Sequence, residues 1–423
     1  MKINKKHLKG FLALSPILVF LIVYLVSSIA IQDFYKIPIS AAFLLASIYA
    51  IIITKGTIKE RIEIFSSGAG NHNVLLMIWI FILAGAFAAT AKDIGSIEAM
   101  VALTLKIIPA KLLFAGLFLT TCFISFAIGT SVGTIVALTP IAAGIANQTG
   151  CNMAETAAII VGGAFFGDNL SFISDTTIAS TQALGCSMKD KFRANIKIAL
   201  PAVVIVLGIY LFKGSQGGIV PVEGEIELLK ILPYILVIVL ALLGLNVTLI
   251  LTIGIVANAI IGFLTGSIGW TDFLESSGGG IAGMGELIIV TLLAGGMLAL
   301  IKHNGGLHFL IGGLTKGIRG RKGAELSLAA LVSFANVCTA NNTIAIITTG
   351  EIARYISDKF DVSPRKAASI MDTFSCMVQG ILPYGAQLLM AASLCDISST
   401  AIIPYLYYPI ILGLCAIIGI LVK

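Results

Sequence analysis

A cluster of polar side chains at residues 162–181 interrupts a long apolar tract, and its residue types could bind a cation. The segment reads GGAFFGDNLSFISDTTIAST. Its central polar residues are Asp168, Asn169, Ser171, Ser174, Asp175, Thr176 and Thr177. Charged side chains in a hydrocarbon layer are costly and usually mark an ion or substrate pathway. The segment is therefore the first candidate for a functional site.

Asp168 and Asp175 are the two carboxylates of this segment. A carboxylate withdrawn from water binds a proton more readily, and Na⁺ would compete with that proton for the same oxygens. We expect the two residues to bind Na⁺ or H⁺ alternately, which is antiport in its minimal form. The alternative is that one of them caps the end of a broken helix.

The composition indicates that these residues belong to an all-α polytopic membrane protein. Of the 423 residues, 58% are hydrophobic and 11% are charged, whereas a soluble domain has about 45–50% and about 25%. Apolar runs of about 17–22 residues recur along the chain, and each is long enough for a helix that crosses a lipid bilayer. The net charge of +6 is attributed to Lys and Arg in cytoplasmic loops rather than to nucleic-acid binding.

The order of the apolar segments repeats in the second half of the chain. A shift of 210 residues places the Ser-Ser-Gly sequence of residues 66–68 on the Ser-Ser-Gly sequence of residues 276–278. Several glycines coincide under the same shift. We therefore predict an internal duplication with seven membrane segments in each copy. The first repeat is residues 1–213, a connector is residues 214–227, and the second repeat is residues 228–423.

Because seven is odd, the second repeat should enter the membrane from the opposite side. Residues 55–61 and 189–197 are rich in Lys and Arg, while their counterparts at 265–275 and 396–400 have none. Positive charge favours the cytoplasmic face, so the swap predicts inversion and places both termini in the cytoplasm. Inverted repeats are typical of secondary transporters, whose sites lie near the midplane of the membrane. A structural duplication in a membrane enzyme or scaffold is the alternative.

Each repeat contains two expected breaks in its helices. The first is GTSVGT at residues 129–134, with TANNT at 339–343 as its counterpart, and both suit the tips of re-entrant hairpins. The second is residues 167–175, with QGILPYGAQ at 379–387 as its counterpart, where Pro383 would stop a helix. Unwound backbone in a membrane is tolerated only where it is buried in protein or lines a cavity.

We predict that the four breaks meet at one polar centre. Carbonyls freed at the breaks suit a cation, and oxygen ligands with one or two carboxylates suit Na⁺ or H⁺ better than Zn²⁺. No cofactor is expected beyond these coupling ions. The carboxylate of Asp372, within a span of the second repeat, is a candidate ligand, gate or partner for a basic group. The candidate ion- or substrate-binding residues are Thr130, Ser131, Thr134, Asp168, Asn169, Ser171, Ser174, Asp175, Thr176, Asn341, Asn342, Thr343, Asp372, Gln379 and Gln387.

Residues 165–181, FFGDNLSFISDTTIAST, closely resemble the signature of the NhaC-type sodium/proton antiporter family, and GTSVGT is similar to its hairpin motif. The resemblance implies an inverted-repeat fold with a scaffold part and a mobile part, an elevator-like motion, a homodimer and a bacterial cytoplasmic membrane. It also implies that Asp168, Asn169, Ser171 and Asp175 belong to the transport site. The chain departs from the family at residues 379–387, where antiporters tend to carry a stretch richer in Trp, Asn and Thr.

These features favour a Na⁺/H⁺ antiporter. The alternative is a Na⁺- or H⁺-coupled transporter of a small amino acid or organic acid, because the breaks supply amides and helix N-termini for such a substrate. An intramembrane enzyme is disfavoured, since no Ser/His or His/Glu pair occurs at a usable spacing within the spans. The second repeat has no carboxylate at residues 379–387, so ion coupling should depend mainly on Asp168 and Asp175.

Overall fold

The computed structural model describes residues 5–31, 38–172, 174–216, 227–306, 309 and 318–422, and all regular secondary structure in them is helical. The first half contains α1 (Lys5–Ile31), α2 (Ile39–Ile53), α3 (Ile58–Ala69), α4 (His72–Asp93), α5 (Ser96–Ile107), α6 (Leu113–Ile128), α7 (Ser131–Thr149), α8 (Met153–Leu170), α9 (Asp175–Leu184) and α10 (Met188–Gln216). The second half contains α11 (Leu228–Leu242), α12 (Val247–Thr265), α13 (Trp270–Gly283), α14 (Gly285–His303), α15 (Gly320–Thr339), α16 (Asn342–Lys359), α17 (Pro364–Ile381), α18 (Ala386–Leu394), α19 (Ser399–Ile402) and α20 (Tyr407–Leu421).

Long apolar helices identify the chain as a multi-span membrane protein. Within the described residues, 7 helical segments are long and apolar enough to cross a membrane, or up to 8 if the bent pair Ser399–Tyr405 and Tyr407–Leu421 is one span. Shorter apolar helices occur at Gly10–Tyr24, Ile39–Ile53 and Leu228–Leu240. The expected all-α polytopic class is therefore confirmed.

Two short breaks separate α6 from α7 and α15 from α16. Gly129 ends α6 with a φ of 75°, in the left-handed region where glycine has no steric penalty. Thr130 then caps α7 by accepting a hydrogen bond from the amide of Gly133. Ala340 ends α15 with a φ of 48°, and the Asn341 side chain accepts a hydrogen bond from Ile344 to start α16. Both breaks thus lie within the segments expected to form hairpin tips.

Two longer breaks separate α8 from α9 and α17 from α18. The amide of Ser171 still donates to the carbonyl of Gly167 at 2.7 Å, so α8 stays helical as far as Leu170. Asp168 and Asn169 consequently lie in the last turn of a helix, and the break begins later than the sequence suggested. Gln379 likewise lies in the last turn of α17, and Pro383 follows in the break.

Close glycine contacts join the two halves of the chain. Helix α3 packs against α14, and α13 packs against α4. A Cβ atom at Gly280 would overlap the carbonyl oxygen of Gly85, and one at Gly68 would overlap that of Gly295. The backbones can approach this closely only because these four positions carry no side chain. Helix α13 also includes Gly278 and Gly279.

Several expected loops are helical. Lys59 and Arg61 lie in the first turn of α3, which begins with a capping box formed by Thr57 and Glu60. Residues 189–197 form the start of α10. Most of the expected connector 214–227 lies outside the described residues.

Candidate functional site

A cavity of about 280 Å³ lies where the four breaks meet. Five helices, α7, α9, α12, α16 and α18, begin at it. Ten of the residues singled out from the sequence line it, and every break contributes at least one of them. They are Thr130, Ser131, Asp168, Asp175, Thr176, Asn341, Asn342, Thr343, Gln379 and Gln387. The structure thus brings together polar residues that are more than half a chain apart in sequence.

Asp168 is the buried carboxylate of this cavity, with 6% of its surface exposed. Its Oδ1 accepts a hydrogen bond from the backbone amide of Ser131 at 3.0 Å, and its Oδ2 accepts one from the Ser131 hydroxyl at 2.6 Å. The side-chain amide of Asn342 also donates to Oδ2, at 3.3 Å. Asp168 therefore links α8 to the first residues of α7 and α16, where the helix dipoles favour negative charge.

A chain of amide groups continues from Asp168 to the second half of the protein. Gln387 donates from Nε2 to the Ser131 hydroxyl at 3.1 Å. Gln379 donates from Nε2 to Gln387 Oε1 at 2.8 Å and to the carbonyl of Ala340 at 3.0 Å. These two acceptors fix the orientation of the Gln379 amide.

The Oε1 atom of Gln379 is buried and has no hydrogen-bond partner among the described residues. Buried acceptors are normally paired, so an unpaired one beside a cavity requires an explanation. An amide oxygen can accept a hydrogen bond or coordinate a cation, but it cannot donate to an anion. Together with the carboxylate of Asp168, this oxygen favours a hard cation in the cavity.

Asp175 occupies a different environment from Asp168. It is the first residue of α9, it is exposed, and it lines the cavity. It also lines a neighbouring cavity of about 510 Å³ together with Arg354. The two carboxylates that the sequence treated as equivalent are therefore one buried and hydrogen-bonded group and one solvent-facing group.

Asp372 does not line the cavity but forms a buried ion pair next to it. Its Oδ2 lies 2.6 Å from Lys191 Nζ, and the two side chains are 0% and 1% exposed, respectively. The same oxygen accepts hydrogen bonds from Asn195 at 2.8 Å and from Asn169 at 3.1 Å. The charge of Asp372 is thus balanced within the protein, which leaves Asp168 as the buried carboxylate that faces the cavity.

Lys191 is a site-supporting residue that the sequence did not reveal. Its Nζ also donates to the carbonyl of Asn169 at 2.5 Å and to the Thr177 hydroxyl at 2.6 Å. It was counted with the basic residues of a cytoplasmic loop, but it is fully buried on α10. No feature of the sequence distinguished it from Arg193 and Lys197, which are exposed on the same helix.

The hydroxyls near the breaks also satisfy the backbone, and Thr134, Ser171 and Ser174 take part in these bonds without lining the cavity. The hydroxyls of Ser174 and Thr176 donate to the carbonyl of Asp168 at 2.7 and 2.9 Å. The carbonyl of Ser171 accepts from Thr177, and the hydroxyl of Thr134 donates to the carbonyl of Thr130. Several carbonyls freed by the breaks are therefore paired with side chains, which corrects the expectation that they would be open to an ion.

The oxygen-rich wall of the cavity suits a small hard cation or a proton. Carboxylate, amide and hydroxyl oxygens are the ligand types that such cations prefer. No group of three or more His, Cys, Asp or Glu residues within the described part of the chain could hold a metal ion. A single buried carboxylate can be neutralised by one monovalent ion or by one proton, and the two would exclude each other.

Comparisons with known proteins gave matches to antiporters over most of the chain. A family model described as the Na⁺/H⁺ antiporter family matches residues 4–215 and 219–422. The Na(+)/H(+) antiporter NhaC of Bacillus subtilis (strain 168) is 24% identical over 374 residues, covering 80% of this chain and 81% of that protein. The Malate-2H(+)/Na(+)-lactate antiporter of the same strain is 23% identical over 383 residues, covering 83% and 82%. The Na(+)/H(+) antiporter NhaC of Alkalihalophilus pseudofirmus is 22% identical over 362 residues, covering 78% of each.

Proposed function

The chain belongs to the Na⁺/H⁺ antiporter family and exchanges Na⁺ for H⁺ across a membrane, and we propose that Asp168 is the group at which the two ions compete. As a multi-span member of a family with curated bacterial relatives, it is a plasma-membrane protein embedded in the lipid bilayer. The proposal rests on the buried carboxylate of Asp168, which faces the cavity beside Gln379 Oε1, an atom that has no hydrogen-bond partner in the described part of the chain.

Competition follows from the charge balance of the cavity. An ionised Asp168 without a cation is a net negative charge in a low-dielectric environment, which is costly to move across the membrane. Either Na⁺ or a proton neutralises it. Because the Lys191–Asp372 pair is already balanced, one ion at Asp168 leaves the whole buried cluster neutral. The protein can therefore change its conformation when either Na⁺ or H⁺ is bound, and it cannot do so when the site is empty.

Asp175 contributes at the edge of the cavity in this proposal. Its exposed position suits a carboxylate that attracts Na⁺ from water or completes its coordination as the cavity closes. Thr130, Asn341 and Thr343 supply further oxygen atoms in the wall. Asn169 and Asp372 act as positioning residues, since their contacts hold the end of α8 rather than reach the cavity.

We also propose that the chain is an inverted repeat, with copies at 1–213 and 228–423 joined by the connector 214–227. In support, a shift of 211 residues, one more than the shift that aligns the Ser-Ser-Gly sequences, places Ser131 on Asn342 and Asp168 on Gln379, and all four residues line the cavity. The packing is reciprocal as well. Helices α3 and α4 of the first copy pack against α14 and α13 of the second, which are their own counterparts in reverse order. A pseudo-two-fold axis would produce this pattern.

An elevator-like motion of the helices around the cavity, a homodimer and cytoplasmic termini complete the proposal. The excess of basic residues at the start of α10 and α15 supports a cytoplasmic position for those helix ends. Apolar side chains such as Val204 and Ile418 remain exposed and would contact lipid or a second copy. Family membership is the support for the motion and for the dimer.

A second candidate function is Na⁺- or H⁺-coupled transport of a small amino acid or organic acid. Two observations favour it. Five helices begin at the cavity, so their N-terminal amides could hold a carboxylate group. The volume of about 280 Å³ also exceeds the space of one ion with a few waters, at about 30 Å³ per water. The name of the related Malate-2H(+)/Na(+)-lactate antiporter includes organic acids together with H⁺ and Na⁺.

Two measurements distinguish the candidate functions: Na⁺-driven collapse of a pH gradient, and stabilisation of the protein against heat by an organic substrate. In everted membrane vesicles, the antiporter predicts that added Na⁺ collapses a preset pH gradient without any organic substrate, and that Asp168→Asn abolishes this response. A carrier would instead be stabilised against heat by an amino acid or organic acid in a Na⁺-dependent manner. Full Na⁺-driven exchange by Asp168→Asn would overturn the assignment of Asp168.

A further inference from the structure

A second cavity, of about 640 Å³, lies at the ends of α10, α15, α17 and α20. Three of these helices begin there, and α20 ends there. Six basic residues line it, and we call it the basic cavity: Arg193, Lys197, Arg321, Lys322, Arg365 and Lys366. None of them lines the ion cavity at Asp168, so the two cavities have separate walls.

Acidic side chains balance only part of this charge. Asp190 and Glu325 are the acidic residues in the lining. Glu325 accepts a hydrogen bond from Arg321 at 3.3 Å and lies 3.8 Å from Lys366 Nζ. Asp190 accepts a hydrogen bond from Ser187 at 2.7 Å. Six basic residues against two acidic ones leave a clear positive excess in one concave site.

Three of the cations are available for a ligand. In the described portion of the chain, Arg193, Lys197 and Arg365 form no ion pair with a carboxylate, and all three are exposed. Gathering like charges in a cavity costs free energy unless an anion is bound. Guanidinium groups pair with phosphate oxygens through two parallel hydrogen bonds, so two arginines suit a phosphate group.

A buried hydroxyl points to a ligand independently of the charges. Ser369 lines the same cavity, is 0% exposed, and has an Oγ without a hydrogen-bond partner among the described residues. A serine hydroxyl can donate to the oxygen of an anion. The N-termini of α10, α15 and α17 add partial positive charge at this end of the protein.

We propose that the basic cavity binds a phosphate-bearing anion. Either the headgroup of an anionic phospholipid or a soluble phosphate compound supplies this chemistry. The lipid source is compatible with the exposed apolar residues Leu414 and Ile418 on α20, along which acyl chains could lie. The site is separate from the ion cavity, and its occupancy does not depend on which cargo the protein transports.

Binding is tested on the full-length protein purified in a neutral detergent. Thermal unfolding is followed with inorganic phosphate, with chloride at equal ionic strength, and in mixed micelles of phosphatidylglycerol or phosphatidylcholine. We expect phosphate or phosphatidylglycerol to raise the melting temperature above its matched control. A shift with phosphatidylglycerol alone identifies a lipid headgroup, and a shift with inorganic phosphate identifies a soluble anion.

Paired variants decide whether the cavity is responsible. Arg193→Gln/Arg365→Gln removes two cations of the cavity, and Lys55→Gln/Lys59→Gln removes two exposed cations outside it. The first pair should lose the stabilisation, and the second should keep it. If the first pair does not fold, Ser369→Ala replaces it and should reduce the shift. No stabilisation of the unmodified protein, or equal stabilisation of the cavity variants and the control pair, would overturn the proposal.

Discussion

Lys191 and Asp372 form an ion pair with 2.6 Å between Nζ and Oδ2, and both side chains are withdrawn from solvent. The pair joins α10 to α17, and hydrogen bonds to Asn169 extend it to the end of α8. Asn169 is the neighbour of Asp168 in the sequence. The pair therefore holds the helix end that presents Asp168 to the cavity.

Replacing one member of this pair should destabilise the protein more than replacing both members together. Lys191→Met and Asp372→Asn each leave a buried charge without its partner, which should lower the free energy of unfolding by about 3–5 kcal/mol. The double variant leaves no unpaired charge, so its loss should be smaller than the sum of the two. Melting temperatures in detergent measure the cycle. Lys230→Met, which disrupts a pair with the exposed Glu227, is the control and should have little effect. Additive losses would contradict the coupling.

Loss of the unpaired oxygen of Gln379 should weaken Na⁺ binding specifically. Gln379→Leu keeps the size of the side chain but removes Oε1 and the hydrogen bonds to Gln387 and to the carbonyl of Ala340. We expect the Na⁺ concentration for half-maximal exchange to rise about five- to tenfold, which corresponds to about 1–1.4 kcal/mol. Gln182→Leu, at an exposed position on α9, is the matched control. An unchanged Na⁺ dependence in Gln379→Leu would remove Gln379 from the site.

The contact between α4 and α13 should be sensitive to a single methyl group. Gly280→Ala would push a Cβ into the carbonyl oxygen of Gly85, and overpacking of this kind costs about 1–3 kcal/mol. Gly279→Ala, one residue earlier in the same helix, meets nothing within 4 Å. The first variant should melt at a lower temperature than the unmodified protein, and the second should not, because alanine favours helix. Equal melting temperatures for the two variants would argue against this close contact.

The helix breaks could be predicted from sequence because their signals are local. Gly129 and Pro383 cannot continue a regular helix without cost, and polar residues in an apolar run are conspicuous. The exact start of the second break could not be predicted, because it depends on side-chain hydrogen bonds that form across the break itself. The hydroxyls of Ser174 and Thr176 return to the carbonyl of Asp168 and stabilise the final turn of α8.

The buried position of Lys191 could not be read from its immediate neighbours. Lys189, Lys191, Arg193 and Lys197 are alike in composition, and only the packing of α10 turns Lys191 inward while Arg193 and Lys197 face the basic cavity. The difference between Asp168 and Asp175 is also tertiary. One is covered by α7 and α16, and the other begins α9 at an open edge.

Asp175 should be less critical than Asp168. As an exposed carboxylate at the edge of the cavity, it can be replaced by Asp175→Asn with part of the exchange retained and with a higher Na⁺ requirement. Na⁺ dependence of exchange in proteoliposomes measures both quantities. Asp358→Asn, an exposed position on α16, controls for the loss of one negative charge. Complete inactivity of Asp175→Asn in correctly folded protein would mean that Asp175 is an obligatory ligand.

Proton release on Na⁺ binding tests the competition at Asp168 most directly. Na⁺ is added to purified protein in weakly buffered solution at a pH where the site is protonated, and released protons are followed with a pH indicator. Choline chloride serves as the salt control. We expect proton release from the unmodified protein and from Asp175→Asn, and none from Asp168→Asn. Undiminished Na⁺-induced proton release from Asp168→Asn would contradict the assignment of Asp168 as the shared site of the two ions.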